Sequence, residues 1–408
     1  MRYFSIRISR PSDGAVYVPN ANGTPGFSVQ PFTPSTWSYT SLNAGATVTT
    51  VGGTNRAAQL IQMDIPVTAA HTPMANAYVK IYGISLAEIA QAADLNGLNV
   101  AIYGGFAAGL PLATPAQAGM LCSGQILQAF GNWINTEQSL SIYVQAGGSS
   151  GSSAQTTGVP STTSTTPAPT TNDTPANLTF SWTPGQTLLA AITKSLSTAF
   201  PQYGISGAIS ANLVKSGASA NGFYSTLQQF AQDMNAKSLS AILGYAPGVN
   251  AVYQGVAISL QNNTFCVQDG SSPTTAKQLQ VVDFVGQPTW GQPYRVQATV
   301  MMRADLNFGD FVIMPALPGV ISAGSASQYY NVSPTNTYAT AKSGSIFSGT
   351  FQIVGIRHVG DSRNGDGTAW ATTLELLQTS ASASTASATL PSLYAPTRGS
   401  QYSFYLPQ

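Results

Sequence analysis

Short stretches in which apolar residues recur at every second position run along almost the whole chain. That period admits little besides β-strands packed by one face. Ile61, Met63, Ile65 and Val67 alternate with polar residues, interrupted by Pro66. A proline there suits a strand end or a sheet edge, because it has no amide to donate to a neighbouring strand. Ala75, Ala77, Val79 and Ile81 repeat the pattern, as do Phe4, Ile6 and Ile8 at the start. Further strands are expected at Val100–Tyr103, over 120–131 ending at Phe130, and at Leu140, Ile142 and Val144. Residues 11–50, rich in Pro, Gly, Asn, Ser and Thr, read as an extended loop or a set of short strands.

Helical spacing interrupts this pattern in three places. Ser85-Leu86-Ala87-Glu88 is a capping box, followed by Leu86, Ile89, Ala90 and Ala93 on one face and closed by Asn96-Gly97. Leu178–Trp182 reads as a short strand; Thr183 can then cap a helix with Pro184 at its first position, and Leu188, Leu189, Ile192 and Leu196 form its apolar stripe to about Ala199. A third helix is expected over about 222–234, with Phe223, Leu227, Phe230 and Met234 inward, before Leu239, Ala241 and Leu243 resume strand spacing. Val256, Ile258 and Leu260 then turn at Asn262-Asn263 and pair back through Phe265 and Val267.

The last part returns to sheet. Gln278–Val285 reads as a strand entering Gly286-Gln287-Pro288, and Val296, Ala298 and Val300 as the next. Phe311–Met314 follows the turn at Leu306–Asp310, and Phe351, Ile353 and Gly355 lead to His358. Trp370, Thr372, Leu374 and Leu376 close the series. The organisation expected is a strand-rich unit over 1–146, a linker or loop over 147–177, a smaller α/β unit over 178–278, a second strand-rich unit over 279–380, and a low-complexity tail over 381–408. The linker segment lacks the apolar content needed to offset ordering entropy.

Charge narrows the function classes. Only 7% of residues are charged and the net charge is +1, against about a quarter charged in ordinary domains. Nothing resembles the Lys/Arg blocks that bind phosphate backbones, so specific nucleic-acid binding is not expected. A weakly charged surface associates readily, which suits a subunit covered by neighbours. The start, Met1–Ile8, has neither the apolar run nor the cleavage site of a signal peptide, and no stretch reaches membrane-helix length. The chain reads as made inside the cell, without a membrane anchor.

Candidate chemistry is sparse. His71 and His358, the two histidines, are isolated, and no His/Cys/Glu grouping has metal spacing. Asp361–Asp366 superficially resembles a calcium loop, but Arg363, Gly365 and Asp366 stand at its third, fifth and sixth places, so a hairpin turn is expected. Of three glutamates, Glu88 is accounted for by its cap and Glu375 by a solvent-facing strand position, leaving Glu137. Cys122 and Cys266 read as two buried free thiols, with a single disulfide as the alternative. Trp37, Trp133, Trp182, Trp290 and Trp370 are scattered, as core aromatics are. No catalytic, cofactor or metal site is expected, and the chain reads as non-enzymatic.

Three stretches together resemble the baseplate hub proteins of tailed phages. The first is Val79-Lys80-Ile81-Tyr82-Gly83-Ile84-Ser85, then Val100–Phe106, Leu121–Ile126 and Leu140–Val144. The second is Trp182-Thr183-Pro184-Gly185-Gln186-Thr187-Leu188. The third comprises Val285–Pro288, Leu306–Asp310, Val354–Asp361 and Trp370-Ala371-Thr372. Their order carries the resemblance, which spans most of 55–380. It implies a mainly β fold with two tail-tube-like β-barrel domains flanking a smaller α/β domain. It further implies a homotrimeric ring of pseudo-sixfold symmetry in the virion tail, assembled in the host cytoplasm. The implied partners are the tail tube protein, the central spike protein, other baseplate proteins and the tape-measure protein. DNA would pass non-specifically through the lumen during ejection and host cell penetration. Two other readings compete: a secreted or surface-displayed adhesin or layer protein, and a tail-associated polysaccharide-degrading enzyme.

Overall fold

The structure, a computed structural model, describes residues 1–18, 25–28, 39–69, 76–109, 113–146, 178–201, 203–245, 255–261, 264–270, 276–292, 295–315 and 349–381. The linker over 147–177, the loop over 316–348, the tail from 382, His71 and Trp37 lie outside them.

The chain is mainly β. Its first nine strands are β1 (Arg2–Ser9), β2 (Val16–Val18), β3 (Gly26–Ser28), β4 (Tyr39–Thr40), β5 (Ile61–Ala69), β6 (Asn76–Tyr82), β7 (Asn99–Phe106), β8 (Gly119–Ile134) and β9 (Glu137–Ala146). Helix α1 (Leu86–Gln91) and a following 3-10 turn over Ala92–Leu95 lie between β6 and β7. The middle part contains β10 (Leu178–Trp182), helix α2 (Leu188–Ala199), β11 (Gly204–Ala208), β12 (Ala220–Tyr224), helix α3 (Leu227–Tyr245), β13 (Ala257–Gln261) and β14 (Thr264–Gln268). The last part contains β15 (Lys277–Gln278), β16 (Thr289–Gln292), β17 (Arg295–Met301), β18 (Phe311–Met314), β19 (Gly349–Asp361) and β20 (Trp370–Ala381).

The first and last parts form one 15-stranded sheet, ordered β16-β17-β20-β19-β5-β6-β9-β8-β7-β1-β2-β3 along its main path, with β4, β15 and β18 beside it. The seam is the antiparallel pair β5–β19, in which His358 faces Ile65 and Gly360 faces Met63. Among the described strands, no pairing closes either half into a barrel; the path ends at β3 and β16. Ile61, Met63, Ile65, Ala77, Val79 and Ile81 are buried in one core, as alternation on a half-covered sheet demands. Met302 and Trp370 of the last part belong to that same core, so the two strand-rich parts share more than a seam. A second core fills the last part itself, around Val300, Val312, Phe351 and Leu374.

The middle part has its own core, with α2 and α3 against a two-stranded sheet, β10–β12, and a three-stranded one, β11-β14-β13. The β13–β14 hairpin pairs Gln261 with Thr264, in the register expected from sequence.

Several local expectations are corrected. Helix α2 starts at Leu188 with Thr187 as its cap, and Thr183–Gln186 is a turn instead. Residues 220–224 are strand, which leaves Phe223 67% exposed rather than inward. Helix α3 continues through Leu239, Ala241 and Leu243, which the alternation had marked as strand. Over 278–285 only Lys277–Gln278 is strand, and Val281–Asp283 is a 3-10 turn. Its stop is chemical: Asp283 accepts from the Gln280 amide at 2.9 Å, closing a capping box that a strand could not hold.

Candidate functional site

Several of the described residues that could carry chemistry make contacts that hold the fold together. The His358 ring is buried, and its Nδ1 lies 2.8 Å from the Thr372 hydroxyl on β20. Burial pushes its pKa down to about 4, so the imidazole is neutral at ordinary pH. Glu88 closes the expected capping box with Ser85, and it also accepts from the buried Tyr39 hydroxyl at 2.8 Å. Burial, reinforced by the Glu88 charge, holds the Tyr39 phenol well above its usual range. Tyr17 grips the same helix by donating to Gln91 at 3.0 Å. Residues 11–50 therefore supply two buried tyrosines to the core, a role their composition hides. Glu137 pairs with Lys80 at 3.2 Å, and Glu375 is exposed on β20.

Cys122 and Cys266 are both free thiols. Cys122 is buried and its pKa is pushed up to about 12 by burial. Cys266 is only half-buried, which corrects the expectation of two buried thiols. Among the described residues, no group of three or more His, Cys, Asp or Glu is placed to hold a metal. No helix among them is long and apolar enough to cross a membrane.

The Asp361–Asp366 loop, read from sequence as a hairpin connection, joins β19 to β20. Its carboxylates are turned onto its own backbone: Asp361 Oδ1 accepts from the amides of Arg363 and Asn364, each at 3.1 Å. The Arg2 guanidinium donates to the carbonyls of Asp361 and Asp366, each at 2.7 Å, and to that of Asn364. The point at which the loop carbonyls converge is thus occupied by a side chain of the first strand.

Among the described residues, the long β8–β9 hairpin is one of the places that leave apolar surface open. A β-bulge between Ile126 and Gln128 leaves Leu127 without a cross-strand partner, and it is 50% exposed. Phe130 stacks on Tyr143 at 6.0 Å, and Tyr143 meets Tyr78 of β6 at 5.0 Å. Gly131 sits where helix α1 crosses, and a Cβ there would lie 2.7 Å from the Ile89 Cα. Beyond that crossing the tip carries Trp133 and Ile134, each 62% exposed. Trp133 is thus a surface aromatic, whereas Trp182 and Trp370 are core residues as expected. The sequence reading ends this strand at Phe130, whereas β8 runs on to Ile134, so Trp133 stands beyond the expected end.

No protein-family model and no curated protein matches the sequence. Among solved structures the chain is similar to the tail protein from Neisseria meningitidis MC58, at 13% identity and a TM-score of 0.39, over 80% of this chain and 94% of that one. It is also similar to the 43 kDa tail protein of prophage MuSo2 from Shewanella oneidensis, at 7% identity and a TM-score of 0.41, over 78% of this chain and 92% of that one. A third similarity is to the lidless PdpA–VgrG complex, at 7% identity and a TM-score of 0.38, over 93% of this chain and 65% of that one.

Proposed function

We propose that this chain is a structural subunit of a phage-type tail, a baseplate hub protein that closes with copies of itself into a ring. The ring joins the tail tube to the central spike, and DNA passes through its lumen during ejection. The observation that carries this reading is the continuity of the sheet from β16 to β3, with both ends of its path open among the described strands. An open sheet edge presents backbone donors and acceptors that pair with another chain. A head-to-tail contact of this kind produces a ring when its rotation closes. Three copies of two joined strand-rich halves would match a sixfold tube on one side and a threefold spike on the other. The low charge supports the same reading, because charged groups are costly to bury at large contacts.

The reading takes the chain to be non-enzymatic and to work by contact alone, in the tail of the virion. Its test is co-expression with tail tube and central spike proteins, followed by electron microscopy of the purified particle. A ring of this chain between tube and spike is expected; finding the chain at another place in the particle, or turnover of a polysaccharide lost on substitution of an Asp or Glu, would overturn it.

A further inference from the structure

Trp182 and the Val214–Ser216 stretch build one wall of a cleft in the middle part, and the turn over 183–186 ties them together. The Gln186 carbonyl accepts both from the Trp182 indole at 2.8 Å and from the Lys215 amide at 3.0 Å. The Gly185 amide returns a bond to the Lys215 carbonyl at 3.0 Å, from a turn whose φ of +81° only glycine adopts without strain. Lys215 is thereby fixed beside Trp182, and its ammonium lies 5.3 Å from the ring centroid. A cation held against an aromatic face has given up part of its hydration.

Helix α3 forms the facing wall. Asp233 and Lys237 lie one turn apart and pair, and the same Asp233 oxygen accepts from the Tyr224 hydroxyl. That carboxylate is engaged within its own wall. Elsewhere Lys80, Lys277, Arg303 and Arg357 each meet a carboxylate of this chain. Among the described residues Lys215 meets none. The cleft between the walls measures about 640 Å³, with Val214, Ala236 and Ala241 giving it an apolar lining and Ser216 and Ser240 supplying hydroxyls. Lys215 on one wall and the paired Asp233 and Lys237 on the other leave the lining with a local excess of one positive charge, in a chain where only 7% of residues are charged.

We propose that this cleft binds a carboxylate, presented by an acidic side chain flanked by apolar residues on a partner protein. Lys215 supplies the charge, the hydroxyls complete its hydrogen bonds, and the apolar lining takes the flanking side chains. A free inorganic anion would use the first two features and leave the third unused. The assignment rests on the cleft alone and is independent of ring formation.

The test titrates the full chain with a fluorescently labelled, end-capped Leu-Glu-Leu peptide, read by polarisation, with the Leu-Gln-Leu peptide and inorganic phosphate as comparisons. Saturable binding is expected, weakened at least tenfold by Lys215→Met and by raising NaCl from about 50 to 500 mM, as screening of an ion pair requires. Lys194→Met, on helix α2, serves as a control and should leave binding unchanged. Unaltered circular dichroism of both variants separates loss of the site from loss of the fold. Equal binding of the glutamine peptide, indifference to Lys215→Met, the absence of saturation, or binding of phosphate without the peptide would each overturn the assignment.

Discussion

The indole of Trp370 donates to the carbonyl of Gly105 at 2.9 Å, tying the first residue of β20 to the end of β7 across 265 positions of sequence. The ring is fully buried, and beside it Gly104 leaves the space that Met302 fills: a Cβ there would lie 3.0 Å from the Met302 sulfur and 2.5 Å from Leu121. The two strand-rich parts are therefore locked by a side chain as well as by the β5–β19 seam. Replacing Trp370 by Phe should cost about 0.5–1.5 kcal/mol, the net worth of the lost indole hydrogen bond. Replacing it by Ala should cost about 3–5 kcal/mol through the added cavity. Urea unfolding followed on residues of both parts should show them losing structure together.

Arg2 makes a second lock. Its guanidinium holds three carbonyls of the Asp361–Asp366 loop, so Arg2→Met should lower stability by about 1–3 kcal/mol. Amide exchange in that loop should rise with it. Because the carbonyls are already engaged, adding millimolar calcium to the wild-type chain should leave its melting temperature unchanged.

His358 gives a pH dependence whose sign is set by burial. Its folded pKa is about 4, below the ordinary 6.5. The unfolded chain takes up a proton below pH 6.5 that the folded chain refuses until about pH 4. The contribution is therefore complete above 6.5 and is lost as pH falls towards 4. About 2 kcal/mol should disappear between pH 7.5 and 5. His358→Gln should remove that part of the pH dependence in denaturant titrations.

Arg303 is a buried cation with two partners. It donates to Asp283 at 3.1 Å, itself buried, and through a second nitrogen to Asp305 at 2.6 Å. Burial works to lower the guanidinium pKa, and the bonds and charges of Asp305 and Asp283 outweigh it and hold the group charged. Removing one partner should be costly: Asp283→Ala should destabilise by about 3–5 kcal/mol. Replacing Arg303 and Asp283 together by Met and Leu should recover much of that loss, in a double-mutant comparison of unfolding midpoints.

The sequence reveals those parts of the fold in which one residue's neighbours decide its conformation. The alternation through Ile61–Ile65 and Ala77–Ile81, the Ser85–Glu88 cap and the hairpin at Gln261–Thr264 are all of this kind. Helix α3 was obscured because its inward face is partly polar. Ser238 is buried and donates to the Asn235 carbonyl at 2.7 Å while accepting from the Val256 amide at 2.7 Å, so the apolar period breaks where the helix is best packed. The β5–β19 seam joins residues nearly 300 positions apart, and no local pattern specifies that partner. The exposure of Trp133 and the cleft at Lys215 depend on which elements fall short of covering them, and that is fixed only in three dimensions.

The central claim, that this chain exists to be covered by copies of itself and by other tail parts, is tested most directly by its mass in solution. Light scattering across a range of concentrations, alone and with the tube and spike proteins, should give a closed threefold species. A chain that stays monomeric at every concentration and with every tail partner would contradict the account.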